Sequence, residues 1–470
     1  MRRLLWFRRD LRVEDNPLLS LGGEVLPLFI FDTQILAPLQ PEDRRVSFIF
    51  SQVMRLKKEL RRRGLDLKIF FGDPLEIFAS LVRLGFDEVA AGGDYDAYAK
   101  ERDLKISHLI DFNYLHDTYI FRPKEVVKPD GTPYLVYTPF YNRAKKLFSP
   151  EQMHEYAVAE QQLFATSYEG ITQLHSGGVN ILPLQIASIG FNAASPDTTA
   201  PDEKLKRLAG HLNSYAHDRD YPALKATSDL SADLRFGTIS IRAVLRFLAG
   251  QKKQGIETEP FFRQLLFRDF YACLLYHFPH LATENFRYPF KGVEENAAYD
   301  AFIQAKTGVP IVDAGIRELL ETGKMHNRVR MVCASFFTKE LLLPWQWGEA
   351  FFARHLLDYD AASNILSWQW SAGTGVDPQP YFRIFNPYLQ AKTFDKEARY
   401  IKRWLPELAD VEARLLHDEH FLRTNTLAGY PQPIVERQKA VQRAKAYFDR
   451  ALGKGDEPTD HGYELRLYLL

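Results

Sequence analysis

The residues able to do chemistry crowd into one part of the chain. The run DYDAASNILSWQW places Asp358, Asp360, Asn364, Trp368 and Trp370 within thirteen residues. Asn364 and Trp368 are four apart, so on a helix they share a face. Just upstream, MHNRVRM supplies His326, Asn327, Arg328, Arg330 and Met331, and Trp345 and Trp347 lie between the two runs. Five of the six tryptophans fall in the sixty residues from Trp345 to Trp404. Carboxylates, an amide, guanidinium groups and indoles this close together suit a cofactor pocket. They suit equally a packed aromatic core with a charged rim, and Asp-x-Asp is a common helix start. A lone histidine such as His326 is more often structural than catalytic. Cys273 and Cys333 sit in apolar helical patterns, where a thiol is ordinarily core. Pattern and spacing reach a pocket with a cofactor and go no further.

Composition bounds what can hold such a pocket. Hydrophobic residues make up 46% and charged residues 26% of 470 residues, which fits a globular protein of two or three domains. No apolar run approaches about 18 residues, so no membrane span is expected. The N-terminal MRRLLWFRRDLR has too short an apolar stretch for a signal-peptide core. Two isolated cysteines form neither a disulfide framework nor a zinc pattern, so no metal site is expected and a reducing cytoplasm is. Lys+Arg and Asp+Glu balance at 60 each, so any nucleic-acid site must be a local basic patch.

The chain divides in three. Residues 1–125 alternate short apolar runs with helical patterns. Leu4 to Phe7, Val25 to Phe31, Leu67 to Phe71 and Glu88 to Ala91 read as strands. Val46, Ile49, Val53, Leu56 and Leu60 recur at helical spacing, closed by Gly64, and Asp73 followed by Pro74 reads as an N-cap and first helical position. Strand–helix repetition predicts an α/β domain with a doubly wound parallel sheet. No Gly-rich fingerprint follows the first strand, so an ordinary dinucleotide site is not expected. Residues 126–200 lose this order. With Pro129, Pro133, Pro139, Pro150, Gly177, Gly178, Pro183 and Pro196 they read as a linker over the surface. Residues 201–470 read as all-helical.

Several separate segments resemble the photolyase/cryptochrome family, most closely its bacterial cyclobutane pyrimidine dimer (class I) photolyases. They are WFRRDLRVEDNPLL, TSDLSADLRFGTIS, KTGVPIVDAGIREL, TGKMHNRVRM, LLDYDAASNILSWQWSAGTGVDPQPYFRIFNP and IKRWLPEL, in the family's order from residue 1 to about 435. The resemblance implies an N-terminal domain able to hold a light-harvesting antenna and an all-α domain that holds FAD. It implies light-driven repair of dimers in damaged DNA by electron transfer from photo-excited reduced FAD, by a monomer. The alternatives are a cryptochrome-like blue-light sensor or a photolyase with altered lesion preference. The absence of a long C-terminal extension favours repair over sensing.

The resemblance also implies roles. Tyr215 and the run Thr227, Ser228, Asp229, Leu230 and Ser231 align around the FAD phosphates, where hydroxyls and backbone donors suit anionic oxygens. Arg268 aligns with a cationic partner of the cofactor. Asp358 and Asp360 align with carboxylates lining the flavin and its ribose, and Arg330 with the arginine paired to the first. Asn364 aligns beside flavin N5, where an amide can favour reduced states. Trp368 and Trp345 align with the first two members of an electron-donating chain. Trp370 aligns with an aromatic that stacks on the flipped dimer. Asn327 and Met331 fit the cyclobutane-dimer branch, since six-four photolyases place histidines there. Arg219, Arg328, Arg383, Gln390 and Lys392 align near the DNA backbone.

Four positions depart from the family. Its glutamate near the dimer is Gln264, and the tryptophan three residues on, at the DNA side, is Phe267. Its third chain tryptophan falls at Gly292, with Tyr288 and Phe290 nearby and Trp347 or a tyrosine as a substitute exit. The tryptophan before Met-His-Asn-Arg is Lys324. For the antenna, Tyr98, Arg102 and Asp103 in DYDAYAKERD resemble a deazaflavin or FMN pattern rather than a folate one, with Ala97 and Ala99 in place of its usual Pro and Gly.

Overall fold

The computed structural model describes residues 2–159, 161–163, 185–192 and 199–453. Gly177, Gly178, Pro183 and Pro196 lie outside the described residues. Strands β1 (Arg2–Phe7), β2 (Gly23–Asp32), β3 (Lys68–Gly72), β4 (Glu88–Gly92) and β5 (Asp111–Leu115) form a parallel sheet in the order β3-β2-β1-β4-β5. The order reverses at β1, the mark of a doubly wound sheet. Alternation along β1 sends Leu5 and Phe7 to one face and Leu4 and Trp6 to the other, as the two-residue period of a strand requires. On the first face they meet Val53, Leu56 and Leu60 of the helix Arg44–Arg62. On the second they meet Ile77, Phe78 and Leu81 of the helix Pro74–Arg83. Asp73 caps that second helix by accepting from the Leu75 N–H at 2.7 Å, as its sequence predicts.

Two strands are absent from the sequence reading. β5 is an edge strand whose five residues are exposed or half-buried, so its composition carries little apolar signal. β6 (Gln161–Leu163) is three residues long and pairs with β2 at Gly23–Val25. The stretch read as a surface linker needs correction too. It contains the helix Tyr137–Leu147, with Tyr137, Phe140, Tyr141 and Ala144 buried. Those side chains share a core with Leu245 and Leu248 of the helix Ile241–Lys253 and with Leu265, Leu266 and Phe270 of the helix Glu259–His277. Proline density hid a sound apolar face at i, i+3, i+4 and i+7.

Beyond residue 200 the described residues are helical. The helix Ala361–Ala372 packs against both Glu259–His277 and Trp345–His355. No helix among the described residues is long and apolar enough to cross a membrane. Cys273 and Cys333 are buried and free.

Candidate active site

The helix Ala361–Ala372 carries the centre of the site. It starts at Asp360, whose side chain accepts from the Ser363 N–H at 3.1 Å, and closes at Gly373. Between these caps Asn364, Ile365, Leu366, Trp368 and Gln369 are all buried. Asn364 and Trp368 are thus held one turn apart inside the protein. The Asn364 amide nitrogen donates to the Glu349 backbone carbonyl at 3.1 Å and to Glu349 Oε1 at 2.9 Å. A backbone carbonyl only accepts, so the amide's orientation is fixed. Its carbonyl oxygen makes no hydrogen bond and is left to serve as an acceptor. Trp368 stands edge-on to Phe352 and Phe337, with ring centroids at 4.9 and 5.4 Å. Its ring presses on Gly348, where a Cβ would lie 2.2 Å from Trp368 Cη2, so no larger residue fits there without moving the indole.

Asp360 does more than cap. It meets Arg9 of the N-terminal domain at 3.0 Å and Arg235 at 3.8 Å. Arg9 also pairs with Asp94 at 2.8 Å, and Arg268 stacks over Tyr119, 4.4 Å from the ring centroid. Burial pushes the Asp360 carboxyl up, but Arg235, Arg9 and Arg268 outweigh it and hold it at about 2. Three guanidinium groups, those of Arg9, Arg235 and Arg268, thus stand among three carboxylates, those of Asp94, Asp96 and Asp360. Arg235 Nη1 is buried without a hydrogen-bond partner. That spare buried donor suits an acceptor oxygen.

Around this centre, Arg330 Nη2 bonds both oxygens of Asp358 at 3.2 and 3.1 Å, the pairing expected. Arg330 Nε is fixed by the Met325 carbonyl at 2.7 Å. Lys324 Nζ bonds both oxygens of Asp229 at 2.7 and 3.0 Å. Thr227 and Ser231 are exposed, Ser228 Oγ accepts from the Leu230 N–H at 3.4 Å, and Tyr215 is buried edge-on to Phe261.

The residues expected at the lesion are nearer the surface. Trp370 is half-buried beside Phe385. Asn327 donates to Met331 Sδ at 3.6 Å. Gln264 is half-buried and makes no side-chain hydrogen bond among the described residues, while Phe267 lies on Tyr137 at 4.1 Å between centroids. Arg383 and Lys392 are exposed, and Arg219 and Gln390 are half-buried. Arg328 is more engaged: it bonds Asp220 at 3.0 Å and lies over Phe394 at 4.2 Å. Gly292 has φ of 82° and a Cβ there would fall 2.6 Å from Pro344 N, so the third tryptophan's position admits no side chain. Trp345 instead donates its indole N–H to Asn285 at 2.8 Å, and Trp347 stands edge-on to Tyr299. Sequence reasoning missed Arg9, Arg235, Glu349 and Gly348. Only tertiary folding brings them to the site, and no spacing signals it.

A parallel α/β domain is thus tied through buried ion pairs to a helical domain. Residues 3–159 match the DNA photolyase family, and residues 261–450 match the FAD binding domain of DNA photolyase. A deoxyribodipyrimidine photo-lyase of Halobacterium salinarum is 35% identical, over 97% of this chain and 100% of its own. A class III photolyase from Agrobacterium tumefaciens superposes with a TM-score of 0.84 at 30% identity, covering 96% of this chain and 98% of its own. An archaeal photolyase from Sulfolobus tokodaii, described with two FAD molecules that imply a novel light-harvesting cofactor, gives a TM-score of 0.81 at 32% identity, covering 96% of this chain and 100% of its own. The chain belongs to the photolyase/cryptochrome family. Its helical part is an FAD-binding domain, and its likeness to photo-lyases over nearly the full length makes it an enzyme of DNA repair.

Proposed function

We propose that this chain repairs cyclobutane pyrimidine dimers in DNA, driven by light, with FAD held in the helical domain. When bound, reduced FAD supplies the light absorption and the one-electron chemistry. The observation that carries the reading is the fixed Asn364 amide, whose free carbonyl oxygen is an acceptor suited to a protonated ring nitrogen. Asp358, oriented by Arg330, and Asp360, held ionised by three arginines, fit the hydroxyl and N–H groups of such a cofactor. The unpartnered Arg235 Nη1 offers a donor to one of its oxygen atoms. Trp370 and Phe267 would stack on the extruded lesion, and Gln264, with its amide unspent, would hydrogen-bond it. Arg219, Arg383, Gln390 and Lys392 would hold the DNA backbone. Trp368 and then Trp345 would re-reduce an oxidised cofactor.

A second chromophore fits less well. Tyr98 donates to Asp32 at 2.6 Å, and Arg102 is bound to Asp103 at 2.9 Å. Tyr98 is thus engaged by Asp32, and Arg102 and Asp103 engage each other.

The test is a repair assay on a DNA duplex holding one defined thymine dimer, lit and dark, with a six-four lesion in parallel. Light-dependent loss of the dimer alone is expected. Equal outcomes in light and dark, or repair of the six-four lesion only, would overturn the reading.

A further inference from the structure

Lys324 stands where the family resemblance expects a tryptophan, and its ion pair with Asp229 joins two distant segments. On one side Asp229 lies within the run Thr227–Ser231. On the other, the residue after Lys324 is Met325, whose carbonyl fixes Arg330, and Arg330 fixes Asp358. At this edge the Lys324–Asp229 contact joins the two runs from which the proposed FAD site is built, while deeper in Arg235 bonds the Tyr359 carbonyl at 2.7 Å. Asp229 has φ of 56°, a left-handed conformation that side chains other than Gly, Asn and Asp avoid. A residue held there persists where its surroundings fix it, and the bidentate Lys324 ammonium does so. Both side chains are 33% exposed, so the bridge lies at the outer edge of the site, within reach of water and salt.

We propose that the Lys324–Asp229 pair is a latch across the mouth of the cofactor cleft that slows the escape of FAD and makes its retention salt-dependent. No bond is made or broken in this role. Opening the pair loosens the outer edge where the two runs meet, while Arg235 holds them deeper in, and closing it restores that edge. The inference rests on the FAD site proposed above, and it adds Lys324, and a new role for Asp229, in cofactor exchange without contact to the reacting atoms.

The experiment follows FAD release from the full-length loaded protein by the rise of flavin fluorescence, at low and at high sodium chloride. The variants are Lys324→Met, Asp229→Asn, both together, and Lys324→Arg. Asparagine tolerates the left-handed backbone, so Asp229→Asn keeps the turn. Each single loss of the pair should speed release at low salt about twofold to fivefold, the range of a partly exposed ion pair. The double variant should be no faster than either single one. Salt should accelerate release from the wild type and from Lys324→Arg but not from the other variants. The apo forms should melt together with wild type, separating a latch from a general loss of fold. Release that is insensitive to salt in the wild type, or unchanged in both single variants, overturns the latch alone. A wild type that takes up no FAD overturns the latch and the proposed function together.

Discussion

Asn364 hands both protons of its amide to one residue, Glu349, through the backbone carbonyl and Oε1. Glu349 also accepts from the Tyr359 hydroxyl at 3.3 Å. Burial pushes the Glu349 carboxyl up, and its hydrogen bonds with Asn364 and Tyr359 partly oppose this. If this contact sets the amide's orientation, Glu349→Leu should free Asn364 to turn while leaving FAD bound. Reduced FAD should then reoxidise in air up to about tenfold faster, the equivalent of one hydrogen bond worth about 1.4 kcal/mol. Glu349→Gln keeps an acceptor and should stay near wild type. Identical reoxidation in the leucine variant would mean that the backbone carbonyl alone orients Asn364.

Asp358→Ala leaves Arg330 without its carboxylate. Arg330 is 30% exposed and keeps its bond to Met325, so water can take over part of the lost contact. The loss should be about 1–2 kcal/mol of apo-protein stability, below the figure for a fully buried pair. Loss of FAD should be the larger effect if, as proposed, Asp358 bonds the cofactor. Denaturant melts of apo and loaded protein separate the two. A variant with full FAD occupancy would remove Asp358 from the cofactor site.

Asp269 supplies a pH dependence. One carboxylate oxygen accepts from the Phe121 N–H at 2.9 Å and the other is buried without a partner. Burial dominates and raises the group to about 7, against 3.8 ordinarily. A raised folded pKa means that the folded state holds the proton more tightly. Its stabilising share is complete below about pH 4 and is lost as pH climbs through 7. Asp269→Asn removes the titration. The stability of the variant minus that of wild type should therefore grow between pH 5.5 and 8.5, by about 2 kcal/mol in order of magnitude. A difference that stays flat across that range would show that Asp269 does not titrate there.

Much of this was open to reading from the chain, and the rest was hidden for physical reasons. Asp73–Pro74 announces its helix because capping is local. Asp360 was readable as a helix start, which it is, and from the family resemblance as a cofactor carboxylate. Its hold on Arg9, 351 positions away, is invisible in a sequence because no local rule spans that distance. β5 was missed because an edge strand buries little. The helix Tyr137–Leu147 escapes the sequence reading because the prolines in and around it suggest a surface linker, although its apolar face is regular. Arg328 looked like a DNA-facing cation, yet Asp220 and Phe394 occupy it.

That last difference separates two arginines by experiment. Arg383 is exposed on the segment just before the helix Pro387–Phe394. Arg383→Ala should weaken binding to damaged and undamaged DNA alike and lower the salt slope by about one. Arg328→Ala should instead mainly reduce stability, with a smaller effect on binding, because it strands Asp220. Fluorescence anisotropy on both DNAs across a salt series reads the first, and thermal melts read the second. If Arg328→Ala flattens the salt slope more than Arg383→Ala, the assignment is reversed.

Gln264 decides how well the proposed chemistry runs. It sits on the helix Glu259–His277, half-buried, with its amide unbonded among the described residues. A glutamate at this position could donate a strong hydrogen bond, when protonated, to a dimer carbonyl oxygen carrying extra charge. A neutral amide donates a weaker one. Gln264 should therefore hold the dimer but let more absorbed photons go to waste before the ring opens. A changed substrate is the rival account, since six-four photolyases resemble this chain in having glutamine here. Asn327 and Met331 speak against it, because neither can protonate a six-four lesion and they bond each other at 3.6 Å. We expect modest repair of cyclobutane dimers and none of six-four lesions. Gln264→Glu should raise the fraction of photons that repair a dimer by less than tenfold, about 1 kcal/mol, with dimer affinity nearly unchanged. Quantum yields on a single-dimer oligonucleotide, measured beside its binding curve, check both halves. A lower yield in Gln264→Glu, or six-four repair by the wild type, would show that the glutamine serves a different lesion.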